Sequence, residues 1–279
     1  MYNSLIALGA ALVAFALGFW AAGWIAGILP ALLAFGVVWA LLARRTGRQV
    51  QALQPKIMEA MQNQRFDEAR SIVQGAMELG KWQFLVREQL EMMLGNFDYL
   101  EGAMAKMQRQ ITASQQHLAA ARGHFEQACP KGWRGQLLGW QGRAMLACVL
   151  HRQGDSAGAL EQLKTASMAQ GALAGKPDPI FWGLYAWMLN EQHKRDEALQ
   201  VVGKGLVDHP KAKGLLEMQE AFTNRKRPSM LVWGEAWYQF FPEAMADDPK
   251  VIELARAQQA RQQPGGGPRP PKTWPQPRR

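Results

Sequence analysis

The chain has 279 residues, 48% of them hydrophobic and 20% charged, with a formal net charge of +9 and two cysteines. That apolar content excludes a wholly disordered chain, and two cysteines exclude a disulfide framework. The charge is uneven: residues 1–43 carry none, while after Glu253 lysines and arginines meet no acid, so the basic balance reflects a tail more than a basic fold.

From Leu5 to Ala43 no side chain is charged, and Arg44, Arg45 and Arg48 follow at once. As one helix this run would reach about 58 Å at 1.5 Å per residue. A hydrocarbon core is only about 30 Å thick. Residues 1–46 therefore read as a transmembrane hairpin, with spans at about 4–25 and 29–43 and a turn at Gly27-Ile28-Leu29-Pro30. Proline suits a first helical position, where a missing N–H costs nothing. Ala10, Ala14, Gly18 and Ala22 recur every fourth residue, as do Gly23 and Gly27, the small-residue spacing that lets membrane helices approach. Trp20, Trp24 and Trp39 suit the headgroup level. A cleaved signal peptide is disfavoured, because Met1-Tyr2-Asn3-Ser4 has no cationic side chain and the apolar stretch is too long. The arginine cluster marks the cytoplasmic side. The expected location is the inner membrane, multi-pass, with the soluble part cytoplasmic; Ala/Gly/Arg-rich usage points to a bacterium.

Residues 47–225 predict helices throughout, with apolar residues at helical spacing and no alternating strand. Arg65-Phe66-Asp67-Glu68-Ala69, with Val73 and Ala76, reads as a turn and a second helix. Gly95-Asn96-Phe97-Asp98 reads as another turn, followed by Leu100, Met104 and Met107. Ala121, Phe125 and Ala128 give a small–bulky–small helical face. Leu146-Ala147 and Leu150 precede a turn at Gly154-Asp155, and Ala159, Leu163 and Ala166 follow it. Finally Trp182, Tyr185, Ala186 and Leu189 lie on one helix. Ala198, Val202 and Gly205 lie on the next, after a polar turn at His193–Asp196, and Pro210 closes the unit.

That last order of large, small and closing residues resembles the tetratricopeptide repeat (TPR) family. The resemblance is specific over residues 140–210 and degenerate over the preceding part of a region of about 160 residues. Arg143 stands where the earlier unit should carry the family's aromatic, and Gly171–Pro179 is an insertion between units. Small residues let two helices approach, bulky ones fill the space beside them, and one pair cannot bury its apolar face without stacked neighbours. The fold expected is thus all-α: a hairpin, then a TPR-like α-solenoid of about four repeats.

The resemblance implies a concave groove, lined by first helices, that holds a peptide or a partner's helix. The groove positions here are Gln141, Ala144, Cys148, His151 and Arg152, then Ile180, Gly183, Trp187, Asn190 and Glu191. Trp187 is the strongest anchor, since buried tryptophan dominates many interfaces. An equal alternative is that Trp187 packs on the next helix. The Lys/Asn set with which some family members clamp a C-terminal carboxylate is missing.

Residues 226–256 carry Met230, Trp233, Trp237, Phe240 and Phe241 at spacings that line one side of a helix. This helix would cap the end of the solenoid or lie in a membrane interface beside Arg225–Arg227. Residues 257–279 form a Pro/Gly-rich basic tail expected to be disordered, with anionic lipid as a candidate contact.

Chemistry is sparse. Gly75 to Gly80-Lys81 copies P-loop spacing, but Trp82 follows where magnesium needs Ser or Thr, and a helix precedes it in place of a strand. His117 and His124 share a helix face without further metal-ligand spacing and read as surface histidines. Cys129 and Cys148 read as reduced, small apolar residues. The expectation is a scaffold that binds a protein partner and membrane lipid, with no enzymatic role, no cofactor, no metal and no nucleic-acid partner. The alternative is an assembly subunit in which the hairpin itself is the functional element.

Overall fold

The computed structural model describes residues 2–63, 65–82, 85–130, 139–168, 176–249 and 252–253. Among these every regular element is helical. The tail at 257–279 and residues 171–175 of the insertion lie outside the described residues.

Helices α1 (Tyr2–Ala22) and α2 (Trp24–Gln51) pack along their length as a hairpin. The turn falls at Gly23, not at Gly27–Pro30. Gly23 has φ +86°, a conformation L side chains avoid, and its N–H bonds Phe19 O at 2.9 Å. Pro30 lies inside α2, which a membrane helix tolerates. Gly27 serves packing instead: a Cβ there would meet the Phe15 carbonyl oxygen at 2.8 Å. The contact seam is small, with Asn3, Ala7 and Ala11 buried on α1 and Gly27 and Thr46 on α2. The other faces are apolar and open, Leu17 being 67% and Trp20 89% exposed. Both helices are long and apolar enough to cross a membrane. At the open end Asn3 Nδ2 donates to Thr46 Oγ1 at 3.1 Å, satisfying a buried polar pair.

Beyond Leu53, four helix pairs follow, each joined by a short connection or an undescribed segment. They are α3 (Gln54–Gln62) with α4 (Phe66–Gly75), α5 (Val86–Met107) with α6 (Ile111–Ala128), α7 (Gln141–Arg152) with α8 (Ser156–Met168), and α9 (Pro179–Glu191) with α10 (Arg195–Asp208). Helix α11 (Lys213–Thr223) packs on α9 and α10. Gly95–Asp98 is no turn: it lies within α5, where Gly95 abuts the Phe125 ring of α6. The helix that packs against Ala121, Phe125 and Ala128 of α6 is α5 itself.

Small residues stand where the helices cross. Ala147, Ala159, Ala166, Ala186 and Ala198 are buried, and a Cβ on Gly205 would meet Trp182 Cβ at 2.7 Å. Leu163, Leu189 and Val202 fill the adjoining space. Each fully buried Leu or Val contributes roughly 1.5–3 kcal/mol. A smaller apolar cluster built from Ile57, Val73, Leu90, Leu94 and Phe97 holds α3, α4 and α5.

Residues 230–247 form no continuous helix. A 3₁₀ turn (Met230–Trp233), a single helical turn α12 (Glu235–Tyr238) and a second 3₁₀ stretch (Pro242–Asp247) make a strap. Gly234, at φ +54°, breaks the run. Trp237, Phe240 and Phe241 turn inward and join the main core, so the strap covers the helical pairs with its aromatic residues.

Candidate functional site

Four of the groove positions converge. His151 and Arg152 end α7, Trp187 and Glu191 lie near the end of α9, and all four line one cavity of about 580 Å³. Lys106, from the end of α5, adds a cation, and Arg227, Met230, Phe241 and Glu243 close the cavity from the strap side. The remaining positions are elsewhere. Gln141 is exposed at the start of α7, Asn190 is half-buried outside the cavity lining, and Cys148, Ile180 and Ala144 are core. Gly183 is covered by the strap, because a Cβ there would meet the Trp233 ring at 2.5 Å.

The strap's aromatic contacts explain the division. Trp187 lies 4.8 Å from Phe241 and 5.6 Å from Trp237 between ring centroids, and the His151 ring meets Trp187 edge-on at 5.3 Å. The groove positions that the resemblance implied are thus largely covered by the chain itself. Burial of Trp237, Phe240 and Phe241 together is worth roughly 5–9 kcal/mol at the usual area coefficient. A partner peptide would have to supply more than that to displace the strap. What the strap leaves open is the cavity beside it.

Arg152 forms the cavity's inner wall. Its side chain is 4% exposed; Nε donates to Tyr99 Oη at 2.7 Å and a terminal nitrogen to Glu243 at 2.5 Å. The guanidinium also lies over the Tyr99 ring at 5.0 Å. Tyr99 in turn donates its hydroxyl to the Phe240 carbonyl. Burial pushes the Tyr99 phenol well up. Burial also pulls the Arg152 pKa down, but Tyr99 and Glu243 more than offset this, so the guanidinium stays charged. Burial lowers the His151 pKa against the opposing pull of Glu191, and Arg152 and Lys106 lower it further. With His151 neutral, Lys106, Arg152 and Arg227 against Glu191 and Glu243 leave the cavity slightly cationic. Arg227 bonds Glu191 at 3.1 Å across its mouth.

A second polar cluster lies between α4, α5 and α6. Asp98, Glu101 and His117 bring ligand-type atoms within 4.8 Å of one another. A terminal nitrogen of Arg70 stands between the two carboxylates, bonding Asp98 at 2.5 Å and Glu101. It supplies the positive charge a metal would bring. His124 bonds Glu91 at 2.7 Å and lies 3.5 Å from Asp98. The two histidines are therefore half-buried members of an inter-helix polar cluster, not ordinary surface residues. Cys129 and Cys148 are free and buried, and burial raises both thiols, Cys129 to about 11. Lys81 of the P-loop-like stretch pairs with Glu78 at 2.6 Å in a 3₁₀ turn (Met77–Lys81).

Lys106, Arg227 and Glu243 escaped the sequence reading because nothing in local spacing links α5 or the strap to α7. The strap's aromatic run was the one available signal. Comparisons with protein-family models, with curated proteins and with solved structures find no match.

Proposed function

We propose that this chain is a two-pass membrane adaptor whose TPR-like helical domain holds a protein partner at the bilayer surface. In this reading the hairpin spans a bacterial inner membrane and the arginine-rich open end faces the cytoplasm, in keeping with the positive-inside bias. The observation that carries the recognition half is convergence: His151, Arg152, Trp187 and Glu191, separated in sequence, line one cavity together with cationic Lys106 and Arg227. A cavity of about 580 Å³ has room for an inserted side chain or short segment. The mixed lining of aromatic rings and a cationic rim fits an acidic segment bearing an apolar anchor.

The test is site-specific photo-crosslinking from position 106 in native membranes. Saturable capture of one partner, abolished by Arg227→Glu, supports the reading. Capture that is absent, or unchanged by Arg227→Glu, sinks it. Exchange of residues 1–46 for an unrelated hairpin separates recruitment, which survives the exchange, from an assembly role seated in the hairpin itself, which does not.

A further inference from the structure

The end of α1 that meets the soluble domain is tied to it. The Asn3 backbone N–H donates to the Trp82 carbonyl at 3.1 Å, and the Tyr2 and Trp82 rings meet edge-on at 5.3 Å. The Asn3–Thr46 bond puts the same level of α2 beside them. One level of the molecule therefore gathers Tyr2, Trp82, Arg44, Arg45 and Arg48. From Asn3 to Ala22 the helix rises about 28 Å, close to the thickness of a hydrocarbon core. At the far end of that distance Trp20 and Trp24 are widely exposed. Aromatic residues thus ring both ends of the apolar surface, where amphipathic rings partition to headgroups.

Trp82 does not belong to the hairpin. It follows the 3₁₀ turn after α4, yet its ring remains 44% exposed beside the first residue of the span. Arg44, Arg45 and Arg48 are exposed, and none pairs with an acid among the described residues. The alignment of an exposed indole with unneutralised guanidinium groups at one boundary calls for an amphipathic, anionic surface.

We infer that the Trp82 turn and the Arg44–Arg45–Arg48 cluster form a docking face for an anionic phospholipid leaflet, which holds the helical domain against the membrane. The inference rests on the membrane reading of the hairpin. It adds that the domain does not swing on a tether: the Tyr2–Trp82 contact and the headgroups fix how it sits. Three exposed guanidinium groups near an anionic surface each favour the anionic lipid about fivefold.

The test uses the full chain, labelled with bimane at Lys81→Cys or, as the control, at Gln200→Cys on α10. Cys129 and Cys148 are buried and take no label. The protein is reconstituted into vesicles of phosphatidylcholine alone or of equal phosphatidylcholine and phosphatidylglycerol, each with a headgroup-nitroxide lipid as quencher. The expected result is incorporation into both vesicles with quenching at position 81 several-fold above that at position 200. Phosphatidylglycerol should be enriched among co-purified lipids, and Arg44→Gln/Arg45→Gln/Arg48→Gln should remove that enrichment. Trp82→Ala should reduce quenching at position 81 without preventing incorporation. Incorporation with equal quenching at both positions, or with no phosphatidylglycerol preference, overturns the docking face and leaves the hairpin reading intact. Failure to incorporate into either vesicle overturns both.

Discussion

The hairpin and the helical domain are built from the same element and solve opposite problems. In the domain, alanine and glycine at helix crossings are flanked by Leu163, Leu189, Phe125 and Phe181, all turned inward. In the hairpin the seam is made of Ala7, Ala11 and Gly27, and the leucines and tryptophans turn outward. Water drives large side chains into the first interior. On the proposed membrane reading lipid would offer the hairpin no such drive, leaving close backbone approach and one polar pair to hold it. Helical periodicity alone does not separate the two, but the distribution of size around each helix does.

Substitutions that distinguish interior from exterior sharpen this contrast. The largest effect belongs to Phe125→Ala, which opens a cavity against Gly95 and should cost about 3–5 kcal/mol in chemical denaturation of the domain, with membrane insertion unaffected. An insertion defect from that change would mean the two regions are not independent. Next is Leu12→Arg at the middle of the outward face of α1, expected to cost about 2.5–3.5 kcal/mol in a membrane-insertion assay while the domain's melting temperature holds. If insertion tolerates arginine there, the outward face does not meet lipid. Asn3→Ala leaves Thr46 without its buried partner and should weaken hairpin association by about 0.6–1.7 kcal/mol, read by cysteine crosslinking between α1 and α2; no change would assign the seam wholly to packing.

The smallest effect is a pH dependence confined to the domain. Burial lowers the folded His151 pKa below its unfolded value of about 6.5. The folded state therefore binds fewer protons, and its contribution is fully present above pH 6.5 and is lost as pH falls below it. Wild type should lose more melting temperature than His151→Gln between pH 7.5 and 5.5. Equal losses would place the acid sensitivity elsewhere in the domain.

The helical domain from 140 to 210 was legible in the sequence because its residues meet neighbours within one or two helices. Trp182 finds Gly205 in the next helix, a pairing of large and small residues visible in the sequence spacing. The hairpin was legible from its missing charge, but its turn was not: Pro30 is the louder signal, yet the conformation at Gly23 reverses the chain. Gly95–Asp98 looked like a turn by composition, and packing on Phe125 kept it helical. The candidate site was half legible. Its α7 and α9 residues are among those the family resemblance implied, whereas Lys106 and Glu243 arrive through contacts 45 or more residues distant in sequence, for which local pattern carries no trace.

The bond from Tyr99 to the Phe240 carbonyl joins groups 141 residues apart. At translation rates of about 5–20 residues per second, Phe240 is made some 7–28 s after Tyr99 but only about 2–10 s after α9 ends at Glu191. During that last interval α5, α7 and α9 are complete but their aromatic clefts are bare. A nascent chain of this kind stands in need of shelter during synthesis, and premature termination before Trp237 should leave a sticky, protease-sensitive product.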